Sequence, residues 1–319
     1  MTAHRPHDAV IGLDLGGTKI AAALVGTGGA VLARHTLPTP AAEGAESVLD
    51  SLAEAARKVW TPGVTAIGVA AAGVIDPRTG TVTSATDTIR GWAGTALAAG
   101  LAARTGLPVA CDNDVRAAAA AELDGQQVAD GGGTTLVYAA VGTGVGGAVA
   151  VDGRMLHGAA GVAGHLGHLP SPEAEQLPCT CGATGHLEAL AAGPGITAHY
   201  VRTSGVAADR LETVAARAAQ GDPHARAAIV LGARAVGRAL GGLANALGAD
   251  RVVVAGGVAH IGTLYTDALD AAFAAELLPP LRALRPVPPR GGHDSAVLGA
   301  AALPRTLPLH RPHTNGARR

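Results

Sequence analysis

Ile11-Gly12-Leu13-Asp14-Leu15-Gly16-Gly17-Thr18-Lys19-Ile20 is the stretch that decides how the rest of the chain is read. An apolar strand carries one acid near its end, a Gly-Gly turn follows, and a second apolar strand (20–25) starts at once. A buried, unpaired carboxylate is costly, so packing does not explain Asp14. The two glycines let backbone N–H groups approach an anion closely. Asp14 is then placed to hold Mg²⁺, directly or through water, beside phosphates cradled by Gly16, Gly17, Thr18 and Lys19, which is the chemistry of ATP-dependent phosphoryl transfer. The stretch is not a P-loop: the order is Gly-Thr-Lys rather than Gly-Lys-Ser/Thr, and a strand follows instead of a helix. A plain tight hairpin with an incidental Asp stands as the alternative at this point.

Working outward, residues 9–37 read as three short strands with turns at Gly16-Gly17 and Gly26–Gly29. A helix is expected over 45–60, a buried strand over 64–71, a turn at 76–80 joining two extended pieces, a helix over 95–104 and a strand over 107–111. Asp112-Asn113-Asp114 then closes that strand and opens the Ala-rich helix 115–123. Ligands favour such strand ends in α/β sheets. Two readings stand: an Asx cap for the helix, which needs one residue only, or a sugar-binding Asn113 with Asp114 accepting a hydroxyl proton as the oxygen attacks a γ-phosphoryl group.

The opening motif recurs in outline. Apolar strands over 134–141 and 145–151 flank Gly142-Thr143-Gly144, suggesting a second phosphate-binding hairpin and two related α/β halves with negligible sequence identity. Gly142–Gly147 formally fits G-x-G-x-x-G, but that dinucleotide pattern needs a helix after it, and a strand follows here. Further on, helices are expected over 223–247, 264–278 and 295–303, with a strand over 251–255 ending in Gly256-Gly257 and a disordered tail from Pro304.

Between these lies an irregular Gly-, His- and Pro-rich stretch, 158–185; His168, Cys179 and Cys181 within it and His186 just after it have the spacing H-x10-C-x-C-x4-H, followed by Glu188. Two cysteines one residue apart with a histidine on each side suit tetrahedral Zn²⁺ in a closed structural site, and a metal would order a loop so poor in apolar residues.

Composition narrows the classes. With 319 residues, 48% hydrophobic and 15% charged, the chain can bury a sizeable core in two domains. A net charge of −1 and an aromatic set of two Trp, three Tyr and one Phe leave neither a basic stripe nor stacking platforms for nucleic acid. Three cysteines argue against a disulfide framework and for a reducing compartment. No leader or membrane-spanning run is expected, because glycines and charges interrupt the apolar stretches; the expectation is a cytoplasmic protein.

Taken in order, these pieces resemble the ROK family (repressors, open reading frames and sugar kinases), most closely its bacterial glucokinase-like members, over roughly residues 8–303. The family signature runs approximately G-E-x-G-H, then C-x-C-G-x-x-G-C-x-E; here it is Gly164-His165-Leu166-Gly167-His168 and Cys179-Thr180-Cys181-Gly182-Ala183-Thr184-Gly185-His186-Leu187-Glu188. The resemblance implies a two-domain actin-like ATPase (RNase H-like) sugar kinase fold, α/β with central mixed sheets and an interdomain cleft. It would consist of a smaller domain of residues 1–115 plus 296–319 and a larger one of residues 116–295 carrying the zinc loop 165–188. It implies ATP across Gly16-Gly17-Thr18-Lys19, Gly142-Thr143-Gly144 and Gly256-Gly257, with Asp14 serving Mg²⁺. Asp114 would be the base for a hexose 6-hydroxyl, and Asn113, His168 and Glu188 would hold other hydroxyls. Structural Zn²⁺ would sit on His168, Cys179, Cys181 and His186, and a homodimer or homotetramer is expected.

Two positions depart from the family. His186 replaces a zinc cysteine, and the expected site is His₂Cys₂. His165 replaces the family's sugar-binding acid. A carboxylate accepts from two hydroxyls, whereas a neutral imidazole accepts one hydrogen bond and donates one. The expected substrate is therefore a hexose altered at C2 or C3, such as an amino or acylamino sugar, or a cyclitol; the alternative is glucose itself, with His165 a tolerated variant in an ordinary glucokinase. The rival from another class is a sugar-binding ROK-type regulator without kinase activity. Such proteins carry a helix-turn-helix ahead of the Gly-rich motif, and about ten residues precede it here.

Overall fold

The structure, a computed structural model, describes residues 9–123 and 133–312. In chain order the strands and helices begin β1 Ala9–Leu15, β2 Lys19–Val25, β3 Val31–Pro38, α1 Ala45–Val59, β4 Val64–Ala71, β5 Val74–Asp76, β6 Thr81–Ser84, α2 Leu97–Thr105, β7 Val109–Asn113 and α3 Asp114–Leu123. They continue with β8 Leu136–Val141, β9 Val145–Val151, β10 Arg154–Met155, α4 Glu188–Ala191, α5 Gly193–Ser204, α6 Leu211–Ala219 and α7 Pro223–Leu247. The last are β11 Arg251–Ala255, α8 Thr263–Glu276, β12 Pro286–Val287 and α9 Ser295–Ala302. The chain divides into two compact units: Met1–Asp124, Gly158–Val162 and Arg290–Arg319 form the first, Gly125–His157 and Ala163–Pro289 the second.

In the first unit the sheet order is β3-β2-β1-β4-β7. β1 pairs antiparallel with β2 and parallel with β4, and β4 pairs parallel with β7. Side-chain alternation assigns the faces. Ile11, Leu13, Leu15, Ile67 and Val69 share a core with α1 and α2. On the opposite face Gly12 and Gly68 lie directly under α9: a Cβ on either would collide with the carbonyl oxygen of Val297 or Ala300. Gly299 meets the Ala117 carbonyl of α3 in the same way. Glycine at these positions lets backbone press on backbone, and α9 seats against β1, β4 and α3.

The second unit repeats the plan with order β10-β9-β8-β11-β12, β8 again pairing antiparallel with the next strand and parallel with β11. Its core gathers α4 to α8 around Tyr200, Val236, Leu240, Tyr265 and Phe273. α7 starts at Asp222, whose carboxylate accepts from the His224 and Ala225 amides with Pro223 at the first helical position, and ends at Gly248 in the left-handed region. This helix is long and apolar enough to cross a membrane by length and composition alone, and in the fold its inner face is buried against α5, α6 and α8.

The segment after α9 differs from the disordered tail expected from Pro304. His310 forms a backbone bridge with Val109 of β7, its N–H donating to the Val109 carbonyl at 2.8 Å and the Val109 N–H donating back at 2.9 Å. An edge strand offers unpaired donors and acceptors to any backbone, whatever its side chains. Residues 313–319 lie outside the described residues.

Candidate active site

Because β1, β4 and β7 run parallel, their carboxyl ends share one edge, and the register aligns Asp14 with Ala70 and Ala70 with Asp112. Burial pushes the Asp14 carboxyl up to about 6; the neighbouring Asp114 charge adds to this and Lys19 opposes it. The turn beside Asp14 is closed by the Gly16 N–H donating to the Lys19 carbonyl, and it is steadied by Thr39, whose hydroxyl donates to the Gly16 carbonyl at 2.7 Å. A Cβ at Gly17 would sit 2.6 Å from the Thr88 methyl, so the turn abuts the 85–88 segment.

At the end of β7 the two readings of the Asx run divide between residues. Asn113 caps α3: its Oδ1 accepts from the Val115 and Arg116 amides. Its amide hydrogens go to the Gly73 carbonyl at 3.1 Å and to Asp114 Oδ1 at 2.8 Å. With both Oδ1 lone pairs and both amide hydrogens taken up inside the protein, Asn113 bonds a sugar only by giving up one of these partners. Asp114 Oδ1 also accepts from the Val115 amide, which leaves Oδ2 as the oxygen without a partner among the described residues. Burial holds the Asp114 carboxyl above the ordinary carboxylate range, against the lowering effect of the Val115 and Asn113 hydrogen bonds and the Arg116 charge.

In the second unit, Gly142-Thr143-Gly144 forms a tight turn with the Gly142 N–H on the Gly144 carbonyl, and the Gly193 N–H at the start of α5 donates to the Gly142 carbonyl. Gly256, in the left-handed region at φ 93°, packs on the Val141 backbone where no Cβ fits. The turn and Gly256-Gly257 therefore come together. Thr143 and Gly257 lie on the wall of a cavity of about 780 Å³ whose apolar side is built by Val201, Leu211 and Ile261, a size suited to a nucleoside.

His168, Cys179, Cys181 and His186 place one ligand atom each within 4.8 Å of one another. Cys179 Sγ is 3.7 Å from His168 Nδ1, and Cys181 Sγ is 3.3 Å from His186 Nδ1. Ligand atoms around tetrahedral zinc lie about 3.3–3.8 Å apart, a range that both measured Cys–His separations fall in, so this His₂Cys₂ set could hold the ion with its wider separations drawn in. Short backbone bridges, Pro170 to His186 and Pro178 to Thr184, shape the loop. His165 stacks on His168 with ring centroids 6.4 Å apart. Both oxygens of Glu188 accept protein donors: Oε2 the Val145 amide at 2.9 Å and Oε1 the Thr180 hydroxyl at 2.7 Å. Glu188 thereby joins Thr180, between Cys179 and Cys181, to the end of the Gly142–Gly144 turn.

Sequence reasoning passed over three groups at this site. Thr180 had no signal beyond its place between the cysteines. The cavity wall from α5 and α6 had none. The Asp112–Arg116 pair had only a four-residue separation of opposite charges, spanning the end of β7 and the start of α3.

Residues 10–306 match the model of the ROK family. The chain is 34% identical over 301 residues to an N-acetylmannosamine kinase of Escherichia coli, covering 92% of this chain and 97% of that protein. The structure resembles that of a ROK hexokinase from Thermus thermophilus with a TM-score of 0.81 and 36% identity, covering 92% of this chain and 96% of the other. It also resembles a ROK family glucokinase from Streptomyces griseus solved with glucose and AMPPNP, with a TM-score of 0.76 and 28% identity over 92% and 98% of the two chains. The fold is that of the actin-like ATPases, with mixed sheets in both units. With its signature histidines and cysteines gathered in one loop and its sequence matched along nearly its whole length, the chain belongs to the ROK family.

Proposed function

We propose that this chain is an ATP-dependent kinase for the 6-hydroxyl of a hexose, and that the hexose carries an acylamino group at C2, as in N-acetylmannosamine. The observation that carries the reading is Asp114: a half-buried carboxylate, tied through Oδ1, with Oδ2 left to take a proton, beside Asp14 on the same sheet edge. Its role is general base for the attacking hydroxyl. Gly16-Gly17-Thr18-Lys19 in the first unit and Gly142-Thr143-Gly144 in the second would each serve ATP phosphates, and the nucleoside would take the cavity beside Gly257. Asp14 would hold Mg²⁺, which neutralises phosphate charge when bound. Zinc on His168, Cys179, Cys181 and His186 is structural, ordering the loop that carries the sugar-side residues. Asn113, His165, His168 and Glu188 receive the remaining sugar groups. A reducing, cytoplasmic setting suits three free thiols.

Two facts support the acylamino substrate. His165 can both donate and accept, matching an amide carbonyl better than a carboxylate would. The N-acetylmannosamine kinase of E. coli is similar over nearly the full chain. The test is kcat/KM for a panel of hexoses by ADP release, in the wild type and in His165→Glu. N-acetylmannosamine should exceed glucose by about tenfold or more, and the substitution should move the ratio toward glucose by a similar factor. Glucose preferred in both proteins would overturn the acylamino assignment.

A further inference from the structure

Among the described residues Arg116 is the largest fully buried side chain, with no exposed side-chain surface, and its partner Asp112 is 2% exposed. Taking two charges out of water is expensive. Alanine, which fills half of this helix, would propagate α3 at least as well. The guanidinium instead joins three separate segments. Nε donates to Asp112 Oδ1 at 2.7 Å, Nη1 to the Gly161 carbonyl at 2.9 Å, and Nη2 to the Ile75 carbonyl of β5 at 3.3 Å. The same residue's backbone N–H donates to Asn113 Oδ1, and Asp112 Oδ1 also accepts the Asn113 amide at 2.7 Å. Both residues that precede Asp114 are therefore held by Arg116, one through its side chain and one through its backbone.

The segment Gly158–Val162 has no strand or helix of its own, so its backbone carbonyls need donors from elsewhere. Gly158 and Gly161 both lie in the left-handed region, and Gly161 packs against Val74 and Ile75 closely enough that an added Cβ would sit 3.2 Å from Val74 Cγ1. This segment leads in sequence directly to Gly164-His165. A planar five-donor fork can satisfy a carboxylate and two carbonyls in fixed directions at once, and a lysine cannot.

We propose that Arg116 is a positioning residue, whose guanidinium fixes the Asp112-Asn113-Asp114 turn against β5 and the segment Gly158–Val162 so that Asp114 is presented in a single geometry. The kinetic part of this inference rests on Asp114 being the base; the structural part does not.

The experiment uses the full-length chain with two variants. Arg116→Lys keeps a charge for Asp112 while losing the fork. The pair Asp112→Asn with Arg116→Met removes both buried charges, so neither is stranded. Asp114→Asn is the reference. Hydrogen exchange of 158–162 and of 74–76 is measured beside kcat and the KM for ATP. Both variants are expected to speed exchange in these segments by about tenfold or more, and to lower kcat by about 10–100-fold with the KM for ATP nearly unchanged. Unchanged exchange together with kcat within twofold of wild type would overturn the proposal. Faster exchange with wild-type kcat would do so too, since Arg116 would then be a structural clamp only. If Asp114→Asn retains full turnover, the base reading fails, and exchange alone decides whether Arg116 holds these segments.

Discussion

Asn113 and Asp114 are neighbours with different duties, and the division is set by which atoms the backbone claims. The amide oxygen of Asn113 closes the helix start, while Asp114 gives up one oxygen and keeps the other. From the sequence the run was legible as an Asx cluster at a strand end, but not which residue caps, since any of them can. Arg116 was harder to see: a lone arginine in an alanine helix reads as a solvated face, and only the fold shows it with no exposed surface. Protonation also belongs to this scale. Burial raises Asp14 to about 6 and moves Asp114 in the same direction. For an acid this means that, as pH falls, the proton binds well before the usual carboxylate range near about 4. A base and a cation ligand are both needed ionised, so kcat/KM at limiting Mg²⁺ should fall through an acid limb near about 6. A pH–rate profile flat down to about 4.5 would contradict the shifts.

At the scale of elements, the strands and the long helix α7 were readable because their apolar runs are bounded by glycine and Asx signals; α7 falls over 223–247 as expected. The return of His310 to β7 was not, because a backbone bridge leaves no side-chain pattern. Gly12, Gly68 and Gly299 look in sequence like weak points of strands and a helix, and the structure makes them the contact surface of α9. Gly68→Ala drives a methyl into the Ala300 carbonyl and should destabilise the protein by about 1–3 kcal/mol or more, seen as a lowered Tm; an unchanged Tm would show that α9 is not seated on the sheet as described. The zinc loop makes its own prediction. Leu166, Ala174 and Leu187 anchor it in the core, but its Cys179–Gly185 tip is largely exposed and would depend on the ion: metal content should be about one zinc per chain by elemental analysis, and Cys179→Ser should lose it with increased proteolysis of the loop. Full zinc in Cys179→Ser would remove the ion from this set of ligands.

For the whole molecule, the resemblance drawn from the Gly-rich turns and the Cys/His signature extends to both sheets: each unit starts with a hairpin and adds a parallel strand on the far side of its first strand. That duplication was visible in outline because two Gly-rich turns sit between apolar strands, whereas the nucleoside-sized cavity was not, since aliphatic residues from several helices form it without a motif. Family membership sets the reaction class in view, and the residues at 114 and 165 carry the specific proposal. The most direct measurement is the phosphorus NMR spectrum of N-acetylmannosamine incubated with Mg-ATP and the wild-type chain or Asp114→Asn. The account requires a 6-phosphate ester from the wild type and a rate lower by about 10²–10⁴-fold in the variant. No sugar ester from the wild type, an ester at another position, or an undiminished rate with Asp114→Asn would contradict it.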